Sequence, residues 1–258
     1  MIEINKPEKT RLHFRRFEWK YIIDKVTMNK IISDLHTYME FDPYIKLSDR
    51  RDGDGKPYYM VKSIYFDNSG LSAYQEKMAG CGFRKKMRVR SYEQSVLVDT
   101  PIFLEIKRKK GEIIIKDRMM MKPEECQNFL SGESTPLWVD SLLEAEKDFL
   151  SECRWLYDFN CMRPVVYISY KRCAFVDKIR NNFRVTFDYD INSTLVNGDM
   201  NFGILEDQDD KGPIVMEVKY NETMPKWFYD IIKKHNLWRS AFSKYCFGIQ
   251  ENFNLFNH

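Results

Sequence analysis

The chain lacks the features that announce the commoner chemistries. Its six cysteines, Cys81, Cys126, Cys153, Cys161, Cys173 and Cys246, form no CxxC pair, and no histidine stands at a zinc-ligand spacing from any of them. They read as reduced thiols of an intracellular protein rather than as a disulfide framework or a zinc site. The four histidines, His13, His36, His235 and His258, do not cluster and are given no catalytic role. There is no P-loop and no GxGxxG, so conventional kinase or dinucleotide chemistry has no support. Residues 49–56 are turn-rich but hold too few ligands, wrongly spaced, for an EF-hand. No apolar run approaches the roughly 20 residues that span a bilayer. The first sixteen residues are charged and lack the apolar core of a signal peptide. The expectation is a soluble, cytoplasmic chain with no membrane segment of its own. Net charge is also scarce: 41 basic residues stand against 38 acidic ones, giving +3, which does not indicate a globally basic nucleic-acid binder.

Hydrophobic residues make up 43% of the 258 positions and aromatics 15%, enough for a real core. With no linker, repeat or low-complexity tract, one domain over 1–258 is expected. The charges are unevenly spread. Acids gather in segments of helical period, and bases gather in segments of period two. Helices are expected over 27–39 (with Thr27 as N-cap), 68–78 (capped by Asn68), 123–130, 139–159, 225–235 and 240–249. The longest, 139–159, has Leu142, Leu143, Phe149, Leu150 and Leu156 as its apolar stripe. Trp19, Trp138, Trp155, Trp227 and Trp238 read as core or helix-packing aromatics.

The strands carry the signal. In FRKKMRVRSY (83–92), a period of two puts Lys86, Arg88 and Arg90 on one face and Lys85, Met87 and Val89 on the other. Strand 14–23 sets Arg16, Glu18 and Lys20 against Phe17, Trp19 and Tyr21. Strand 102–109 sets Glu105 and Lys107 against Leu104 and Ile106, and 112–119 carries Lys116 and Arg118 together. Strands 58–67 and 164–172 follow, the latter ending in Arg172. Strand 183–191 aligns Arg184, Thr186 and Asp188, and 214–220 aligns Glu217 and Lys219 against Met216 and Val218. Two architectures accommodate such faces. An open antiparallel sheet leaves them to water, which predicts mixed Lys, Glu, Thr and Ser. A closed or nearly closed barrel, with helices covering the apolar faces outside, gathers the cations inward. That costs energy unless an anion compensates them. The bias toward Arg and Lys favours the second: an α+β fold in which a closed or nearly closed antiparallel barrel forms an anion-holding tunnel. The aromatics fall on the opposite strand faces, which disfavours nucleic acid as that anion.

In order along the chain, FEWKY, SIYFD, MRVRSY, FLEIKRK, YKRCAF, FRVTFD, MEVKY and FSKY resemble the polyphosphate polymerase (VTC) domain, a branch of the CYTH / triphosphate tunnel metalloenzyme superfamily. No single piece is specific; the ordered set is. The resemblance implies an eight-stranded antiparallel β-barrel tunnel with helices packed outside, and transfer of the γ-phosphate of ATP onto a growing polyphosphate chain. Relatives instead hydrolyse inorganic triphosphate or thiamine triphosphate, or cyclise ATP. By resemblance, Arg88, Arg90, Lys107 and Arg172 would be catalytic, and with Lys20 and Lys244 would grip the triphosphate. Ser243 would donate a hydrogen bond beside Lys244. Lys116, Arg118 and Lys219 join them by strand parity. Glu217 is the first metal-ligand candidate, with Glu18 and Glu105 next, for Mg²⁺ or Mn²⁺; for the latter two, charge balance is the alternative. A metal-dependent triphosphatase and a non-catalytic polyphosphate-binding module remain as competing functions. The first strand departs from the superfamily's ExExK pattern: Arg16 replaces the first acid, leaving R-x-E-x-K. The loss of a carboxylate favours the VTC branch over the hydrolases. The SPX domain and membrane helices of eukaryotic VTC proteins are not read in this sequence, so inositol-phosphate control and membrane export are not carried over. Oligomeric state is not legible in the sequence.

Overall fold

The computed structural model describes residues 16–93, 96–97, 99–111, 113–133, 135–179, 182–196, 198, 200, 202 and 212–253. His13, His258, Glu112 and the side chains of Arg16 and Trp138 lie outside the described residues. One antiparallel sheet organises everything else. Its hydrogen-bonded path runs β1 (Arg16–Ile23), β9 (Ile214–Asn221), β8 (Phe183–Leu195), β7 (Arg163–Asp177), β3 (Tyr59–Asp67), β4 (Phe83–Ser91), β5 (Ile102–Lys110) and β6 (Ile113–Met121). A ninth strand, β2 (Met39–Phe41), pairs with β7 to one side.

The sheet curls into a tunnel wall but is not closed by main-chain bonds: among the described residues β1 and β6 do not pair. The curl follows from one contact. β1 and β5 lie six steps apart on the path, about 29 Å in a flat sheet at ~4.8 Å per step. Yet Lys107 Nζ on β5 lies 3.5 Å from Glu18 Oε2 on β1. Two side chains cannot bridge the flat distance, so the two margins must swing toward each other.

The register carries the parity reading through every strand. Lys86 pairs with Lys107 and Arg88 with Glu105 across β4 and β5; Lys107 pairs with Lys116 and Glu105 with Arg118 across β5 and β6. Arg172 faces Asp188 across β7 and β8, and Lys20 faces Glu217 across β1 and β9. Cross-strand partners share a face, so these side chains line one surface, the concave one.

The outer face is covered in two patches. Tyr21, Phe187, Met216 and Val218 pack beneath α1 (Lys25–Leu35) and α6 (Lys226–Lys234). Ile64, Met87, Val89, Leu104 and Ile106 pack beneath α4 (Pro123–Ser131) and α5 (Glu144–Asp158). These helices are on the outside, as expected. The last helix, α7 (Lys244–Asn252), is on the inside. Its Tyr245, Cys246 and Ile249 pack with Val61, Val166, Ile168 and Val215 of the concave face. Ala73 of α3 (Ser72–Met78) joins them, so one end of the groove is filled with apolar side chains. Gly248 permits the approach: a Cβ there would stand 3.0 Å from Ile168 Cδ1 and 3.1 Å from Val166 Cγ2. A register shift in β8, with Asp190 at φ +51°, turns Ile191 inward to meet this helix.

Several local expectations are corrected. Asp24, not Thr27, caps α1: its carboxylate accepts from the Thr27 N–H at 2.7 Å. That helix stops at Leu35, because the next residues leave to form β2. Residue Leu71, at φ +52°, precedes α3, while Asn68 still accepts from the Ser72 N–H at 3.1 Å. The expected helix 139–159 is split. Leu137–Ser141 is a 3₁₀ turn and α5 begins at Glu144, which leaves Leu143 73% exposed. A short helix, α2 (Pro43–Lys46), capped by Asp42, was not anticipated. Trp238 is 78% exposed rather than packed in a core.

Candidate functional site

The concave face brings together every cation singled out in the sequence whose side chain is described. Arg88 stands at its centre. Its Nε donates to Glu105 Oε2 at 2.6 Å and its Nη1 donates to the Tyr65 hydroxyl at 3.0 Å. Arg90 donates to Ser63 Oγ at 3.0 Å and to the Tyr170 hydroxyl at 3.4 Å. Arg172 grips Asp188 with two parallel bonds of 2.6 and 2.8 Å, and Lys244 meets the same carboxylate at 2.5 Å. Lys116 reaches Glu105 at 2.6 Å. Lys20 lies 3.4 Å from Glu18 and 3.7 Å from Glu217, and donates to the Phe242 carbonyl at 3.0 Å. Lys219 pairs with Glu217. Arg118 lies over the Phe103 ring, 4.9 Å from its centroid. Lys86 donates to Ser243 Oγ at 3.0 Å. Arg184 is drawn aside to Asp42, at 2.5 Å.

Apart from that pair, the charges on this face are lopsided. Among the described residues Lys20, Lys86, Arg88, Arg90, Lys107, Lys116, Arg118, Arg172, Lys219 and Lys244 face Glu18, Glu105, Asp188 and Glu217, while Asp67 on the same face is taken up by the Tyr245 hydroxyl and the Ala73 N–H at the start of α3. Each of the other four carboxylates is shared between at least two cations. The surplus appears in the protonation equilibria. Burial pushes the Asp188 carboxyl up, but Arg172 and Lys244 outweigh it and hold it at about 2. Burial likewise opposes ionisation of Glu105, and Arg88, Arg90 and Lys116 bring it to about 2. For Glu217 the balance of burial against Lys219, Lys20, Lys244 and Arg172 leaves the carboxyl well below its usual range. The cations that lack enough partners move the other way. Burial lowers Lys86 to about 8. Burial and the neighbouring Arg88 lower Lys116 to about 8, against the pull of Glu105.

The three proposed metal ligands are not one cluster. Glu18 and Glu217 flank Lys20 on adjacent strands, near enough that each charge raises the other's proton affinity. Glu105 sits apart on β5, 1% exposed, between Arg88 and Lys116. Among the described residues no group of three His, Cys, Asp or Glu side chains gathers as a ready-made metal cage. Two close carboxylates suit a hard divalent cation that takes its remaining ligands from water and phosphate. Glu18 and Glu217 therefore fit Mg²⁺ or Mn²⁺, and Glu105 fits the charge-balancing role.

Ser243 stands beside Lys244 with its hydroxyl oxygen already in use as an acceptor. Its hydroxyl oxygen caps α7 by accepting from the Cys246 N–H at 3.4 Å, as well as from Lys86. The helix thus points its N-terminus, with Lys244 in its first position, at the basic face. Sequence reasoning missed the tyrosines: Tyr65 and Tyr170 share the concave face with the cations. The signal was present, since Ser63, Tyr65 and Asp67 alternate within SIYFD.

The chain belongs to the VTC domain family, whose model matches residues 15–253. Among solved structures it is similar to a putative adenylate cyclase from Bacillus halodurans, at 14% identity and a TM-score of 0.50, covering 92% of this chain and 96% of that one. It is also similar to a Hippeastrum putative adenylyl cyclase described as having a dominant triphosphatase activity. That match has 11% identity and a TM-score of 0.47, over 91% of this chain and 95% of that one. No curated protein is significantly similar in sequence. By family and fold the chain is a polyphosphate-related tunnel protein. No helix among the described residues is long and apolar enough to cross a membrane.

Proposed function

We propose that this chain is an ATP-dependent polyphosphate polymerase that transfers the γ-phosphate of ATP to the end of a polyphosphate chain held in the tunnel. The observation that carries this reading is the surplus of cations over carboxylates on one enclosed face. A buried surplus of positive charge is costly alone and favourable around a polyanion. Phosphoryl transfer needs little covalent help from protein; it needs alignment and neutralisation of charge on the transferring group. Arg88, Arg90 and Arg172 present rigid forks suited to phosphoryl oxygens. Glu105 and Asp188 hold two of those forks in place from behind. Lys107, Lys116, Arg118, Lys20, Lys219 and Lys244 extend the positive surface along the wall, long enough for more than one phosphate. A Mg²⁺ or Mn²⁺ held by Glu217 and Glu18 would neutralise phosphate charge and polarise the transferred group.

Hydrolysis of triphosphate is the competing reading. The arginine at position 16, where the superfamily's hydrolases keep a carboxylate, supports the polymerase instead. Incubation with ATP and Mn²⁺ decides between them. Long chains on a polyphosphate-stained gel are expected; orthophosphate alone, or no turnover, overturns the assignment.

A further inference from the structure

Tyr65 lies in the motif SIYFD, on the concave face between Ser63 and Asp67, and it is 6% exposed. Its hydroxyl oxygen accepts a hydrogen bond from Arg88 Nη1 at 3.0 Å. A guanidinium has no lone pair to offer in return, so that bond leaves the phenolic proton unspent. Among the described residues no oxygen accepts it. Tyr170, which accepts from Arg90 and Arg172, is in the same position on this face; two other buried tyrosines differ. Tyr245 gives its proton to Asp67, and Tyr189 gives its proton to Asp52 at 3.0 Å. A buried donor left without an acceptor is costly, and here it stands in a ring of cations where an anion is expected.

We propose that the Tyr65 hydroxyl is a ligand of the bound phosphoryl group, donating to a phosphate oxygen while Arg88 holds it from the other side. This rests on the anion-binding reading above and adds a neutral donor to a site otherwise built of charges. Arg88, Arg90 and Lys86 face Tyr65 from β4, and Lys244 and the Tyr245 ring face it from α7. Ser63 and Asp67 flank it on β3, and Glu105 on β5 reaches it only through Arg88. Val166 opposite it on β7 is apolar. Burial pushes the phenol up, but Arg88, Arg90 and Lys244 outweigh it and bring it to about 7. The consequence has a definite sign. Below neutrality the phenol keeps its proton and can donate. Above it the phenolate has nothing to donate and repels the incoming polyanion. Binding at slightly alkaline pH must therefore take up one proton from solvent, and affinity falls as pH rises through 7.

The test is calorimetric titration of the full chain with inorganic tripolyphosphate at pH 6 and pH 7.5, in two buffers of different ionisation enthalpy. Wild type and Tyr65→Phe are compared. The ligand's own protonation is common to both; Lys86 feels the charge on Tyr65, so the calorimetric difference reports the Tyr65–Lys86 pair and the absorbance below isolates the phenol. At pH 6 the variant is expected to bind about tenfold more weakly, the loss of one hydrogen bond to a charged acceptor. At pH 7.5 the wild type is expected to take up more protons on binding than the variant. A second measurement needs no variant: tyrosinate absorbance of the wild type should rise between pH 6 and pH 8 and fall again on adding tripolyphosphate. Equal affinity and equal proton uptake in both proteins, or a wild-type tyrosinate signal indifferent to ligand, overturns the assignment of Tyr65. Failure of the wild type to bind tripolyphosphate at all would instead sink the tunnel reading itself.

Discussion

Replacing Asp188 by Asn isolates the electrostatic logic of the tunnel. Asp188 is fully buried and compensates both Arg172 and Lys244. Asparagine keeps the shape and removes the charge. The carboxyl titrates at about 2, against about 3.9 for a free aspartate. Each tenfold change in proton affinity is worth about 1.4 kcal/mol, so the stabilisation is about 2.5 kcal/mol. The pKa is depressed, so this contribution is complete above the ordinary aspartate range and lost as pH falls through about 2. Removing one member of a buried charge group typically costs about 3–5 kcal/mol. At roughly 2–4 °C per kcal/mol for a chain near this size, a fall in Tm of about 6–20 °C is expected at pH 7. The decisive measurement is the rescue. An anion that enters the tunnel can supply the missing negative charge, so tripolyphosphate should raise the Tm of Asp188→Asn by more than it raises that of the wild type. Scanning calorimetry with and without ligand reads both quantities. A variant as stable as the wild type, with the same increment from tripolyphosphate, would refute the claim that these cations depend on a counter-charge.

Four further outcomes are expected. Arg88→Ala should lower the rate of polyphosphate synthesis by roughly 100- to 1,000-fold, the usual cost of one preorganised donor, and Arg88→Lys should recover little, because an ammonium cannot reproduce the fork; steady-state assays with ATP and Mn²⁺ check both. Glu217→Gln should weaken metal-dependent turnover by at least about tenfold, measured as a Mn²⁺ titration of activity; an unchanged metal dependence would remove Glu217 from the site. Lys116, lowered to about 8, loses charge as pH rises beyond that value, so Lys116→Arg should bind tripolyphosphate more tightly than the wild type at pH 9 and about equally at pH 7. Gly248→Val should press α7 off the inner face and cost about 1–3 kcal/mol, seen as a lower denaturation midpoint.

Much of this arrangement was legible in the sequence because a strand's period of two is rigid. Once FRKKMRVRSY reads as a strand, Arg88 and Arg90 must share a face, and pairing through the sheet extends that face to Lys107, Arg172 and Glu217. Other features depended on chemistry beyond periodicity. Asp24 and Thr27 are both good caps, and alternation cannot say which carboxylate or hydroxyl the helix will use. Leu143 fits an apolar stripe by spacing, but the chain turns before it and leaves it in solvent. The place of α7 was hidden for a different reason. Tyr245, Cys246 and Ile249 show that the helix has a face to bury, while only the inward turn at Asp190 and the bare backbone of Gly248 decide which surface receives it. Tyr65 escaped attention because tyrosine in a strand suits either an apolar patch or a polar lining. The partners of the three carboxylates were not legible either: only the structure sets Glu105 between Arg88 and Lys116, and Glu18 and Glu217 around Lys20.

The seam between β1 and β6 has a mechanical consequence. With no ladder across it among the described residues, Lys107 on Glu18 joins the two margins side chain to side chain, and a partly wetted ion pair of this kind holds with no more than about 1 kcal/mol. On the function proposed above, a polyanion in the bore would compete with Glu18 for Lys107 and loosen that link as it binds. The cargo would thereby slacken the hoop that surrounds it.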